Sequence, residues 1–93
     1  MTPLAQEAYN LLLAHEYDKA LELYRALEKQ NDPVSYYYLG YLYFRGLGVN
    51  QDAKKAFDYY IESATREVPL AQFEAALMLE NGEGCEKNES EAA

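Results

Sequence analysis

The chain of 93 residues is 49% hydrophobic and carries a formal net charge of −8, with Asp and Glu outnumbering Lys and Arg by 16 to 8. That length is one domain's worth, and the acid excess argues against nucleic acid and anionic membranes, whose binding rests on cations that neutralise phosphates. One cysteine, Cys85, excludes an intrachain disulfide; no apolar run approaches a membrane span and the N-terminus lacks the basic start of a secretory signal, so a cytoplasmic protein is expected.

Sustained period-two alternation is missing and Ala, Leu, Glu, Lys and Gln dominate, so the expected elements are helices. Thr2 is a cap and Pro3 a first-turn residue. PLAQEAYNLLLAH then places Leu4, Ala8, Leu11 and Leu12 at helical spacing. After the short joint EYD, YDKALELYRALEKQ forms a stripe of Tyr17, Ala20, Leu21, Tyr24 and Leu27. Asn31-Asp32-Pro33 stops this second helix and starts the third, with Asp32 as N-cap and Pro33 at the first helical position. The third helix runs from Pro33 to Arg45 and ends at Gly46; GLGVNQ is a loop. Asp52 caps the fourth, DAKKAFDYYIESATRE, whose inner face holds Ala56, Tyr59, Tyr60 and Ala64. Val68-Pro69 opens the fifth, PLAQFEAALMLEN, which stops at Gly82. EGCEKNESEAA is a polar tail that at most begins a sixth helix. Five helices with short joints imply antiparallel neighbours.

Residues 33–57 align with residues 69–93 without a gap, at a period of 36. Pro33 meets Pro69, Gly46 meets Gly82, Gly48 meets Gly84 and Ala56 meets Ala92; Tyr37 meets Phe73, Leu42 meets Met78 and Asp52 meets Asn88. Prolines and glycines recur where a helix–loop–helix unit needs them, and residues 3–30 fit a third copy with a shorter joint. Leu39, Gly40, Tyr43, Gly46, Gly48, Val49, Asp52, Lys55, Ala56, Tyr59, Tyr60 and Ala64 together resemble the Sel-like repeat, a relative of the tetratricopeptide repeat. Residues 69–85 resemble the first helix and loop of another such repeat, with Ala75 and Ala76 in place of Leu-Gly. Residues 4–33 are closer to a plain tetratricopeptide repeat, through Leu4, Ala8, Leu11, Ala20, Tyr24, Leu27 and Pro33.

The resemblance implies an all-α solenoid of antiparallel helical hairpins: one repeat domain over 1–93, divided at about 3–32, 33–68 and 69–93, with a role in protein recognition. Solenoids need a polar cap, and the chain stops at Glu91-Ala92-Ala93, where a sixth helix would begin. The fifth helix, with Leu70, Phe73, Leu77 and Met78, is then expected either to continue into a longer array or to be covered by a second subunit.

Catalytic motifs are weak. Gly46-x-Gly48 follows a helix and lacks the Gly-Lys-Ser/Thr of a phosphate loop. His15 is the only histidine, Cys85 aligns with the loop residue Val49, and NGEGCEKNESE lacks calcium-ligand spacing. Glu22, Glu28, Lys29, Asp58 and Glu62 read as solvent-facing charges. No enzyme, cofactor or metal is expected. The remaining candidate is SYYYLGYLYFRG, the third helix, in a chain whose thirteen aromatics are ten Tyr and three Phe. The resemblance puts the first helix of each hairpin on a concave face. It therefore implies a partner-binding groove of Tyr9, Tyr37, Tyr38, Tyr41, Phe44, Arg45, Phe73 and Leu77, with Tyr43 in the core and Tyr38 and Phe44 exposed. The expected partner is a protein or peptide, docking a helix or an extended segment. Alternatives are a homodimer built on the aromatic and C-terminal surfaces, and an acidic inhibitor that masks a basic protein site.

Overall fold

The computed structural model describes residues 2–84. Five helices follow one another: α1 (Pro3–Leu13), α2 (Tyr17–Glu28), α3 (Pro33–Arg45), α4 (Ala53–Thr65) and α5 (Pro69–Asn81). Among the described residues there is no strand. Each helix packs chiefly on its chain neighbours, α1 on α2, α2 on α3, α3 on α4 and α4 on α5. The result is an α-solenoid of antiparallel hairpins, 40 × 26 × 20 Å along its principal axes. The polar tail from Cys85 onward, with its possible sixth helix, lies outside the described residues.

Starts and stops follow local chemistry. The Thr2 hydroxyl accepts from the Ala5 amide, and the Asp52 carboxylate accepts from the Lys55 amide, so both cap as expected. Asp32 occupies its N-cap position, but its carboxylate accepts from the Ser35 hydroxyl at 2.6 Å rather than from a backbone amide. All five helices stop in the same way. A left-handed residue ends each one: His15, Asn31, Gly46, Glu67 and Gly82. The amide after it donates to the carbonyl five residues back, as Glu16 does to Leu11, Asp32 to Leu27, Leu47 to Leu42, Val68 to Ser63 and Glu83 to Met78. This six-to-one bond satisfies a carbonyl that the helix end would otherwise orphan.

The core is two successive clusters rather than one. The first joins Ala8, Leu12, Ala20, Leu21, Tyr24, Leu27, Leu39 and Leu42 from α1, α2 and α3. The second joins Tyr43, Ala56, Tyr60, Ala75 and Met78 from α3, α4 and α5. Small residues set the helix spacing. Ala20 and Ala56 are fully buried at equivalent places on α2 and α4, and Tyr24 and Tyr60 follow four residues later in each. A methyl group at Gly40 would come within 2.8 Å of the Tyr60 ring, so α3 approaches α4 more closely than Ala would permit.

The period of 36 recurs in the contacts between hairpins. Gly48 lies against the Tyr17 backbone at the start of α2; Gly84 lies against the Ala53 backbone at the start of α4. Both glycines have positive φ, and at Gly84 a side chain would collide with the Ala53 carbonyl. These loops seat each first helix onto the hairpin before it. Because residues 17 and 53 are themselves 36 apart, α1–α2 takes the same place in the array as α3–α4, despite its shorter joint.

One surface expectation fails. Glu28 is half-buried, and its carboxylate accepts from the Tyr59 hydroxyl at 3.0 and 3.2 Å. Tyr59 reaches it from α4, so this carboxylate joins α2 to α4 instead of simply facing solvent.

Candidate functional site

The rings of α3 divide between its two sides. Tyr37, Tyr38 and Tyr41 face a groove that also takes Tyr9, Leu12 and Leu13 from α1 and Leu70 from α5. Tyr36 and Tyr43 face a pocket formed with α2 and α4. Helical periodicity accounts for this split, since residues four apart share a face and the 36/43 pair repeats after two turns.

Four of the residues expected in the groove therefore line it together: Tyr9, Tyr37, Tyr38 and Tyr41. Tyr38 holds the centre. Its ring stacks on buried Tyr24 at 5.2 Å, meets Tyr9 at 5.7 Å and takes the edge of Tyr37 at 5.2 Å. It is half-buried, which corrects the expectation of exposure. Its counterpart one repeat later, Glu74, is itself half-buried, so the acidic residue was a poor guide to solvent. Tyr37 continues the network to Tyr60 at 5.7 Å. Burial pushes the phenols of Tyr37 and Tyr38 above their ordinary pKa, with Glu74 adding to the effect at Tyr37. Both remain neutral hydroxyls at physiological pH and can still donate and accept.

The other four fall elsewhere. Arg45 is exposed, with its guanidinium 5.6 Å from the centre of the Tyr41 ring, at the edge of the groove. Phe44 is half-buried against the second core cluster, not exposed and not part of the groove lining. Its carbonyl accepts from the Gln51 side chain at 2.9 Å, which ties the end of α3 to the loop. Phe73 and Leu77 stand exposed on α5, beyond the lining described above.

The expected set of eight left out five lining residues, Leu12, Leu13, His15, Tyr17 and Leu70. His15 stacks on Tyr17 with ring centres 5.7 Å apart, at the turn between α1 and α2. Leu70 has Val34 as its counterpart at the period of 36, but Val34 lines a different opening with Thr2, Ala5 and Asp32, so the repeat carried no signal for it. Leu13 and Leu70 are about 60% exposed, so the rim of the groove is apolar as well as its floor. Among the described residues, no group of three or more His, Cys, Asp or Glu side chains could hold a metal ion. No helix among them is long and apolar enough to cross a membrane.

Comparison with known proteins agrees with this geometry. The Sel1 repeat model matches residues 33–67 and 69–93. The crystal structure of a Sel1 repeat protein from Oxalobacter formigenes superposes with a TM-score of 0.89 and 34% identity, over 95% of this chain and 36% of that one. A protective antigen of uropathogenic Escherichia coli strains, described as displaying an SLR fold, superposes at 0.77 with 33% identity, over 82% of this chain and 16% of that one. The chain thus spans about a third or less of the length of these two relatives. No curated protein sequence matches it. Sel1 repeat proteins are generally protein-interaction scaffolds. Repeat model, solenoid and hairpin register agree: this chain belongs to the Sel1 repeat family.

Proposed function

We propose that this chain is a non-enzymatic interaction module that docks a partner helix or extended peptide in the groove crossing α1, α3 and α5. One observation carries the reading: four tyrosines from two first helices, together with leucines from α1 and α5, line a single groove. Tyr offers a large contact area with a polar tip, and Tyr and Arg are enriched among residues that dominate binding energy. Arg45 over Tyr41 adds a cation at the edge, suited to a carboxylate flanking the partner's apolar residues. Phe73 and Leu77 extend the apolar surface along α5.

The test is a peptide-display selection on the full chain, followed by affinity measurement on the Tyr41→Ala variant. Tyr41 is only half-buried, so the helices are expected to persist by circular dichroism. Selected peptides should lose about 10- to 30-fold in affinity, the weight of one hot-spot residue. Unchanged affinity would remove the groove from consideration.

A second reading rests on α5 alone. Leu70 and Phe73 are each 60% exposed and Leu77 36%, an apolar patch that a second copy could cover. Light scattering at micromolar concentration decides it, because a strictly monomeric mass rules out the homodimer.

A further inference from the structure

The pocket on the other side of α3 gathers cations in a protein with a large acid excess. Arg25 and Lys29 from α2 and Lys55 from α4 surround an opening of about 520 Å³. Its wall is a ladder of phenol rings in the order Tyr43, Tyr59, Tyr36, with centres 5.6 and 6.4 Å apart. The described residues hold three ion pairs, Lys19–Glu16, Lys54–Asp58 and Arg66–Glu62. Four of the described cations therefore lack a carboxylate within ion-pair distance, and three of those four line this pocket.

Their positions are set by the tyrosines. The Arg25 guanidinium donates to the Tyr43 hydroxyl at 2.8 Å, and the Lys55 ammonium sits 4.9 Å from the centre of the same ring. A guanidinium carries five N–H donors, so most of Arg25's remain available. Glu28, the carboxylate lining the pocket, is held by the Tyr59 hydroxyl instead of forming an ion pair with Arg25 or Lys29. Tyr36 is likewise occupied, donating to Asn31. The one carboxylate lining the pocket thus makes no ion pair with the three cations, which keep unused donors beside an aromatic wall.

We infer that this pocket is a second docking site, one that takes an acidic side chain of a polypeptide together with an adjoining aromatic or apolar residue. The carboxylate sits among Arg25, Lys29 and Lys55, and its neighbour packs on half-buried Tyr59, the most open ring of the wall, since Tyr43 and Tyr36 are buried. A diffuse polyanion fits less well, because the net charge of −8 repels it everywhere else. Recognition depends on one localised anion beside an apolar group.

The proposal is tested by titrating the full ¹⁵N-labelled chain with the acetylated, amidated pentapeptide Gly-Glu-Phe-Glu-Gly, and separately with Gly-Gln-Phe-Gln-Gly and inorganic phosphate. Amide shifts should concentrate at Arg25, Lys29, Tyr43 and Lys55. The Gln peptide should bind at least about tenfold more weakly, the weight of one charge-assisted hydrogen bond. Lys29→Gln combined with Lys55→Gln should cost a similar factor. If that pair disturbs folding, exposed Lys29→Glu alone carries the test, with binding lost and thermal midpoint retained. Shifts in the Tyr41 groove instead of the pocket, or equal binding of the Gln peptide, would overturn the inference. Equal shifts with phosphate at the same concentration would also overturn it, reducing the pocket to a small-anion site. The pocket can fail without the groove failing, because the two share no lining residue.

Discussion

At the scale of single residues, two groups are poorly suited to their positions. Glu67 has φ 65°, a left-handed conformation that costs an L-residue about 1–2 kcal/mol. It is exposed, and its amide donates to the Ala64 carbonyl, a bond that Gly would keep. Glu67→Gly should therefore stabilise the chain by about 0.5–1 kcal/mol, since added freedom of the unfolded chain offsets part of the relief. A urea melt showing a higher midpoint at constant slope would establish this; a lower midpoint would show that the left-handed cap is not strained. Tyr24 is the second case. Its hydroxyl is buried without a hydrogen-bond partner, and burial pushes its pKa upward, ahead of contributions from Tyr38, Tyr9 and Asp32. An unsatisfied buried hydroxyl costs about 1–3 kcal/mol. Tyr24→Phe keeps the ring stacked on Tyr38 and removes that cost, so the thermal midpoint should rise by several degrees. A fall would mean that an ordered water satisfies the hydroxyl.

At the scale of elements, the close approach of α3 to α4 depends on Gly40. Adding a methyl group there forces the Tyr60 ring, fully buried on the opposite helix, to move. Gly40→Ala improves helix propensity by about 1 kcal/mol, yet overpacking a core costs about 1–3 kcal/mol. The expected net result is loss of stability, with reduced near-ultraviolet dichroism from displaced tyrosines. A neutral or stabilising outcome would show that the hairpin can open without cost. Helix boundaries were legible because their signals are local. Pro33 and Pro69 open α3 and α5, Gly46 and Gly82 close them, and Asp52 caps α4. Asn31 was legible as a helix stop, since Asn tolerates the left-handed conformation, but the left-handed ends at His15 and Glu67 were not, because the six-to-one bond forces that conformation on residues whose side chains do not announce it. The groove was half legible. Alignment placed Tyr9, Tyr37 and Tyr41 on a shared face, but the depth of Tyr38 depends on Tyr24 of another hairpin, and Phe44 turns into the second core cluster. The cation pocket was invisible for the same reason: Arg25, Lys29 and Lys55 converge only in the fold, where Tyr59 of α4 reaches Glu28 at the end of α2.

At the scale of the molecule, stability is distributed over successive cores that share α3, and each core contains a buried phenol. Tyr24 belongs to the first and Tyr60 to the second, while Tyr59 links α2 to α4 through Glu28. Burial is the leading cause that raises all three pKa values, reinforced by Glu28 at Tyr59 and by Glu74 at Tyr60. The sign of the linkage follows. Below the ordinary phenol pKa of about 10, both folded and unfolded chains keep these hydroxyls protonated, and their contribution to stability is fully present. Above it the unfolded chain releases protons that the folded chain holds, so stability falls as pH rises towards the folded values. Because the two cores share α3 and each holds a buried phenol, ionisation in one weakens the other through that helix, and the array should unfold as one unit. Denaturant midpoints should stay flat with respect to tyrosine ionisation from neutrality to about pH 9.5, then drop steeply. Phenolate absorbance should rise in two phases, with exposed tyrosines first and the buried set only with the loss of helical dichroism. A single phase near pH 10, with helices intact, would mean that the tyrosines of both cores are already open to solvent.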